Sequence, residues 1–236
     1  MAKKSTKSTT PMVINPWLKI SWKNTVANCD KKVIHPLFCT RKGINISTLP
    51  CPYSGDPKSK VYCLSLNPGT GISLPYFVND TAYEKMVQDN LHHRLGYFMW
   101  LRPVITKCGT ILHDGSVWWH NRTKELRKAV GKNDLDIFSL EYFPYHTQHS
   151  INFPALPSDD YRNYLLDKAM DNNKLIVIMR SEKLWYGIRA ISSSDIPLGD
   201  KLRNYKNKIV LKNQRSIYLT QNNMDSKDWA KLSANV

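Results

Sequence analysis

Three short segments of the 236-residue chain hold residue types suited to chemistry. Leu66-Asn67-Pro68-Gly69-Thr70-Gly71 combines two glycines and a proline, and such a turn lets backbone N–H groups approach an anion or a carbonyl closely. Glu141-Tyr142-Phe143-Pro144-Tyr145-His146 sets a carboxylate beside three aromatics and a histidine. Aromatic faces stack on bases, and a carboxylate accepts from a cytosine amino group. In Asn213-Gln214-Arg215-Ser216-Ile217-Tyr218-Leu219-Thr220, Arg215 and Ser216 can contact phosphate, while Ile217, Tyr218 or Leu219 can wedge into a base stack. Each segment also has a plainer reading: an ordinary Pro-Gly turn, a buried and paired Glu among core aromatics, a solvated loop.

The three segments gain weight because each follows an expected strand. Short apolar runs at 61–66, 136–141, 174–179 and 208–211 predict four strands. Helices are expected over 81–102, from the spacing of Met86, Leu91, Leu95 and Phe98, and around 123–130, a basic stretch that follows a mostly polar segment with Trp118-Trp119. Two more are expected, one after an N-cap at Ser158 through Tyr161, Leu165, Leu166 and Ala169, the other from Ser181 through Leu184, Trp185 and Ile188. Pro11, Pro16, Pro36, Pro50, Pro52 and Pro57 forbid long helices and make residues 11–60 an irregular arm. The expected fold is α/β: a mostly parallel central sheet of four core strands with helices on both faces. Its ligand belongs beyond the carboxyl ends of the strands. Residues 1–12 are expected to be a flexible basic tail, and 13–236 a single domain.

Composition narrows the class. Lys and Arg number 34 against 19 Asp and Glu, a net charge of +15, which favours a polyanionic partner. No apolar run approaches the roughly 18 residues of a membrane span, and no apolar stretch follows the basic start, so no signal peptide or membrane partner is expected. The five cysteines include no C-x-x-C pair, so no metal is signalled and reduced thiols in a cytoplasmic protein are expected. Neither G-x-x-x-x-G-K-[ST] nor G-x-G-x-x-G occurs, so no nucleotide cofactor is expected.

Together the three segments resemble the uracil-DNA glycosylase superfamily. Leu66-Asn67-Pro68-Gly69 looks like the water-activating first motif of its mismatch-specific and single-strand-selective branches, and the order of strands and motifs fits across residues 50–223. Pro50-Cys51-Pro52-Tyr53-Ser54-Gly55-Asp56-Pro57 is similar to the lead-in of bacterial relatives. The resemblance implies that Asn67 positions the attacking water, with Pro68 and Gly69 beside the base. It puts Tyr76 or Phe77 at the stacking aromatic, and Glu141, followed by Tyr142, where many members carry an Asn that reads the base edge. Asn213 or Gln214 falls at the final-motif histidine, and Tyr218 near the intercalating leucine.

Two departures shape the expected activity. The final-motif histidine, which stabilises the departing base anion, is absent. Glu141 in place of Asn changes the hydrogen-bond code: an ionised carboxylate only accepts, which repels O4 of uracil or thymine and suits N4–H₂ of a cytosine-type base. A protonated Glu141 would escape this argument. The expected activity is base flipping and hydrolysis of a modified cytosine, such as glucosylated hydroxymethylcytosine of phage DNA, by a cofactor-free monomer in antiphage defence. Gly69–Gly71 amides can meet the base carbonyl. His146 or His149 is the candidate for proton supply, His92 and His93 remain unassigned, and Asp80 or Asp56 can replace Asn67 as base. Alternatives are a uracil or thymine-mismatch repair glycosylase, and a non-catalytic module binding nucleic acid through Lys124, Arg127 and Lys128.

Overall fold

Short, mostly apolar runs form the central strands of the sheet, which are buried on both faces. The computed structural model describes residues 13–71, 74–106, 109–111, 113–148, 152–188 and 197–236. In chain order its strands are β1 (Ile44–Asn45), β2 (Tyr53–Ser54), β3 (Val61–Ser65), β4 (Val104–Thr106), β5 (Gly109–Ile111), β6 (Ile137–Glu141), β7 (His146–Thr147), β8 (Leu175–Ile178) and β9 (Lys208–Val210). The helices are α1 (Pro36–Lys42), α2 (Leu74–Phe77), α3 (Thr81–Leu91), α4 (Asp114–Val130), α5 (Asp159–Asp171), α6 (Glu182–Tyr186), α7 (Leu198–Asn204) and α8 (Ser226–Asn235). The main sheet runs β2-β6-β3-β8-β9. All its pairings are parallel except that of the edge strand β2 with β6.

Alternation along the strands divides the apolar residues between two cores. Tyr62, Leu64, Phe138, Leu140, Ile176 and Ile178 meet α3, α5, α7 and the N-terminal arm on one face. Val61, Cys63, Ile137, Leu175, Val177 and Ile209 meet α4, α8 and residues 95–101 on the other. Helices therefore cover both faces, as expected for strands of this kind. No helix among the described residues is long and apolar enough to cross a membrane. The basic tail, Cys108 and His149 lie outside the described residues.

Where elements differ from expectation, tertiary burial is the reason. The helix expected over 81–102 stops at Leu91, and His93 takes a left-handed φ of 55°. Tyr83, Val87 and Leu91 belong to one core, whereas Leu95, Phe98 and Met99 belong to the other, so the chain must leave the helix to change faces. The mostly polar segment around Trp118-Trp119, placed ahead of the helix expected at 123–130, lies inside α4. That helix starts at Asp114 because the His113 ring accepts the Gly115 N–H at 2.9 Å, satisfying a first-turn donor. Ser158 stands at the N-cap of α5 but makes no side-chain cap bond. Its Oγ and N–H both donate to the buried Asp30 carboxylate, at 2.7 and 2.9 Å, and Tyr145 Oη adds a third bond at 2.8 Å. This knot fastens the irregular arm to the domain. Within the arm, α1 begins at Pro36, where a missing N–H costs nothing.

Candidate active site

A cavity of about 340 Å³ opens at the carboxyl ends of β3, β6 and β8. Parallel register sets Ser65, the last residue of β3, opposite Glu141, the last of β6. Beyond Ser65 the chain enters the Asn67-Pro68-Gly69 turn, which the β7 segment holds from the side. Thr147 N–H donates to the Pro68 carbonyl at 3.2 Å, and His146 Nδ1 lies 2.8 Å from the Gly69 carbonyl. Asn67 Nδ2 donates to Thr147 Oγ1 at 2.7 Å and to the Pro68 carbonyl at 3.0 Å. These two bonds commit the Asn67 amide nitrogen to Thr147 and to its own turn.

Glu141 is 8% exposed, and its Oε2 has no hydrogen-bond partner among the described residues. Burial pushes its carboxyl up to about 8, against a downward pull from the Arg180 guanidinium. At neutral pH the group is therefore mostly protonated, and it can donate as well as accept. The acceptor-only code expected for Glu141 thus gives way to a donor–acceptor pair. The cause is desolvation, which no local sequence pattern signals. Ser65 Oγ, beside it in the cavity, is also buried and without a hydrogen-bond partner among the described residues.

The remaining walls come from elements that sequence reasoning did not connect to the site. Trp100, His113, Asp114, Trp118 and Trp119 enter from the 3₁₀ turn at Met99–Leu101 and the start of α4, and Met179 and Arg180 from the end of β8. His113 is held by bonds to Gly115 N–H and Tyr83 Oη and stacks on Trp100 with ring centroids 4.8 Å apart. Burial lowers its pKa to about 4. It is a neutral positioning group whose Nδ1 is an acceptor. Arg180, immediately after the third parallel strand, had a signal in the sequence: it occupies the same strand-end place that singled out Asn67 and Glu141.

The expected site residues divide clearly. Asn67, Pro68, Gly69, Glu141 and His146 line one cavity. His146 is buried, faces the Gly69 and Leu49 carbonyls at 2.8 and 3.1 Å, and is held below its ordinary pKa by burial. It braces the turn rather than offering a proton. Tyr76 and Phe77 do not line the cavity: Tyr76 is exposed, and Phe77 is core, against Tyr83 and His113. The indoles that line the cavity are those of Trp100, Trp118 and Trp119. Tyr142 packs outside the cavity, against Trp185 and under the Arg162 guanidinium. Asp80 caps α3 through Tyr83 N–H, and Asp56 accepts Lys58 N–H in a turn, so neither carboxylate reaches the cavity.

In the last segment, Asn213 Oδ1 accepts the Arg215 and Ser216 N–H groups, and Gln214 bonds to Glu182 at the start of α6. Arg215 and Ser216 are exposed. Tyr218 lies under Arg122, whose guanidinium carbon is 3.9 Å from the ring centre, while Ile217 reaches the cavity. Among the described residues no group of acids, cysteines and histidines is arranged to hold a metal ion. No family model, curated protein or solved structure matches the chain.

Proposed function

We propose that the protein is a DNA glycosylase that flips a modified cytosine-type base into this cavity and hydrolyses its N-glycosidic bond. Its place is antiphage defence, with glucosylated hydroxymethylcytosine as the substrate class, and it acts as a cytoplasmic monomer without a cofactor. The observation that carries this reading is the buried Glu141 carboxyl, whose Oε2 has no hydrogen-bond partner among the described residues, in one cavity with Asn67 and the indoles of Trp100 and Trp118. Indole faces stack on an extruded base. A neutral Glu141 accepts from the cytosine N4 amino group and donates to N3, matching two adjacent atoms of that edge. Exposed Lys124, Lys128 and Arg215 supply phosphate contacts that position the duplex without reading it.

The chemistry needs little from the protein beyond placement and charge. As the C1′–N1 bond breaks, its electron pair goes to the base, and proton donation by Glu141 makes that base a better leaving group. The oxocarbenium ion left behind is captured by a water, which the Asn67 side-chain oxygen orients. A raised carboxyl pKa is what lets Glu141 carry the proton at neutral pH, and it supplies what the missing final-motif histidine would have given.

The same neutral carboxyl favours a second reading. It can accept from uracil N3–H and donate to O4, so repair of uracil or mismatched thymine remains chemically accessible. A cavity of about 340 Å³ leaves room beyond a bare pyrimidine, which favours a substituted base. Mass spectrometry of bases released from unmodified DNA, uracil-containing DNA and glucosylated phage DNA separates the readings. Release from the phage DNA alone supports defence, and release of uracil supports repair. Salt-sensitive binding with no release from any of the three would leave a nucleic-acid-binding module instead.

A further inference from the structure

Resting on the glycosylase reading, we propose that Asp114 is a catalytic residue, the base that takes the proton of the water oriented by Asn67. Water adding to an oxocarbenium ion must lose a proton, and an amide oxygen can orient that water but not accept the proton at neutral pH. Among the described residues lining the cavity, the carboxylates are Glu141 and Asp114. Glu141 is committed to the base edge, and its burial suits it to giving a proton. Asp114 is half-buried and opens the first turn of α4.

Gly71 fixes the carboxylate against the loop that carries Asn67. A methyl group at position 71 would fall 2.0 Å from Asp114 Oδ2 and 2.5 Å from its carboxyl carbon. The backbone at Gly71 does not take a positive φ, so conformation does not demand glycine there. The close approach of the carboxylate does. The step balances: the C1′–N1 electron pair and the Glu141 proton leave with the base, and water oxygen bonds C1′. Its proton passes to Asp114, and exchange with solvent resets both carboxyls.

The test compares wild type, Asp114→Ala and Gly71→Ala in single-turnover base release from whichever DNA wild type cleaves, alongside DNA binding by anisotropy. Asp114→Ala should lose about 100-fold or more in excision while binding is kept. Added formate, a small free carboxylate, should restore part of that loss, which it would not do for a merely structural defect. Gly71→Ala keeps the carboxylate but displaces it, and should lose about tenfold. It also serves if Asp114→Ala fails to fold. Excision by Asp114→Ala at the wild-type rate, or a loss that formate leaves untouched, overturns the assignment alone. Wild type releasing no base overturns the glycosylase reading and this one with it.

Discussion

Ser65 and Glu141 face one another across the parallel pair β3 and β6, and each ends in a buried oxygen without a partner among the described residues. An unsatisfied buried polar atom costs about 1–3 kcal/mol. These two lie side by side at the carboxyl end of the sheet, the edge where open α/β sheets take their ligands.

The contribution of Glu141 to stability should fall as pH rises from about 4.5 to about 8. Glu141 ionises near its ordinary value in the unfolded chain but only at about 8 when folded. Between those limits the native state binds the extra proton, so alkali favours unfolding, by at most a few kcal/mol in all. Glu141→Gln cannot ionise and should remove this loss, melting above wild type at pH 9 and near it at pH 4. Parallel melting curves for the two proteins across that range would show that Glu141 does not titrate this way.

Base release should decline as pH rises through about 8, since only neutral Glu141 can donate to the leaving base. Glu141→Gln keeps a donor and an acceptor but has no proton to transfer. It should weaken action on modified cytosine about 100-fold and lose the alkaline decline. An unchanged single-turnover rate would remove Glu141 from the chemistry.

Asn67→Ala should leave DNA binding within a few-fold of wild type and abolish excision, a loss of about 100-fold or more. Anisotropy and single-turnover release on the same DNA check this. Retained turnover would move the water to another group.

Asp30→Ala should cost about 3 kcal/mol, because the buried carboxylate accepts from Tyr145 Oη and from both donors of Ser158. Urea unfolding is the measurement. A change below about 0.5 kcal/mol would mean that the knot does not secure the arm.

Asn223→Ala should loosen the loop at 213–218. The Asn223 side chain receives Asn213 N–H at 2.8 Å and donates to the Ser216 and Tyr218 carbonyls at 2.5 and 3.0 Å. Limited proteolysis should cut this loop sooner, with stability reduced by about 2 kcal/mol. An unaltered cleavage pattern would show that the loop is held otherwise.

What the sequence alone determined was the four parallel strands of the sheet and what stands at two of their ends. Buried parallel strands are mostly apolar, so 61–65, 137–141 and 175–178, and the edge strand 208–210 with its buried Ile209, were legible as runs. Asn67 and Glu141 could be picked out because they follow such runs. Elements whose residues answer to a distant core were not legible. The α3 stop at Leu91, the start of α4 at Asp114, and the edge strand β2 depend on which face of the sheet each stretch must cover. Tertiary structure alone decided the rest of the site. It brought Trp100, Asp114 and Arg180 to one cavity from a 3₁₀ turn, a helix start and a strand end, and it sent Phe77 to the core. It also set the chemistry of Glu141, because protonation follows from the water that packing removes, and packing is a property of the assembled chain.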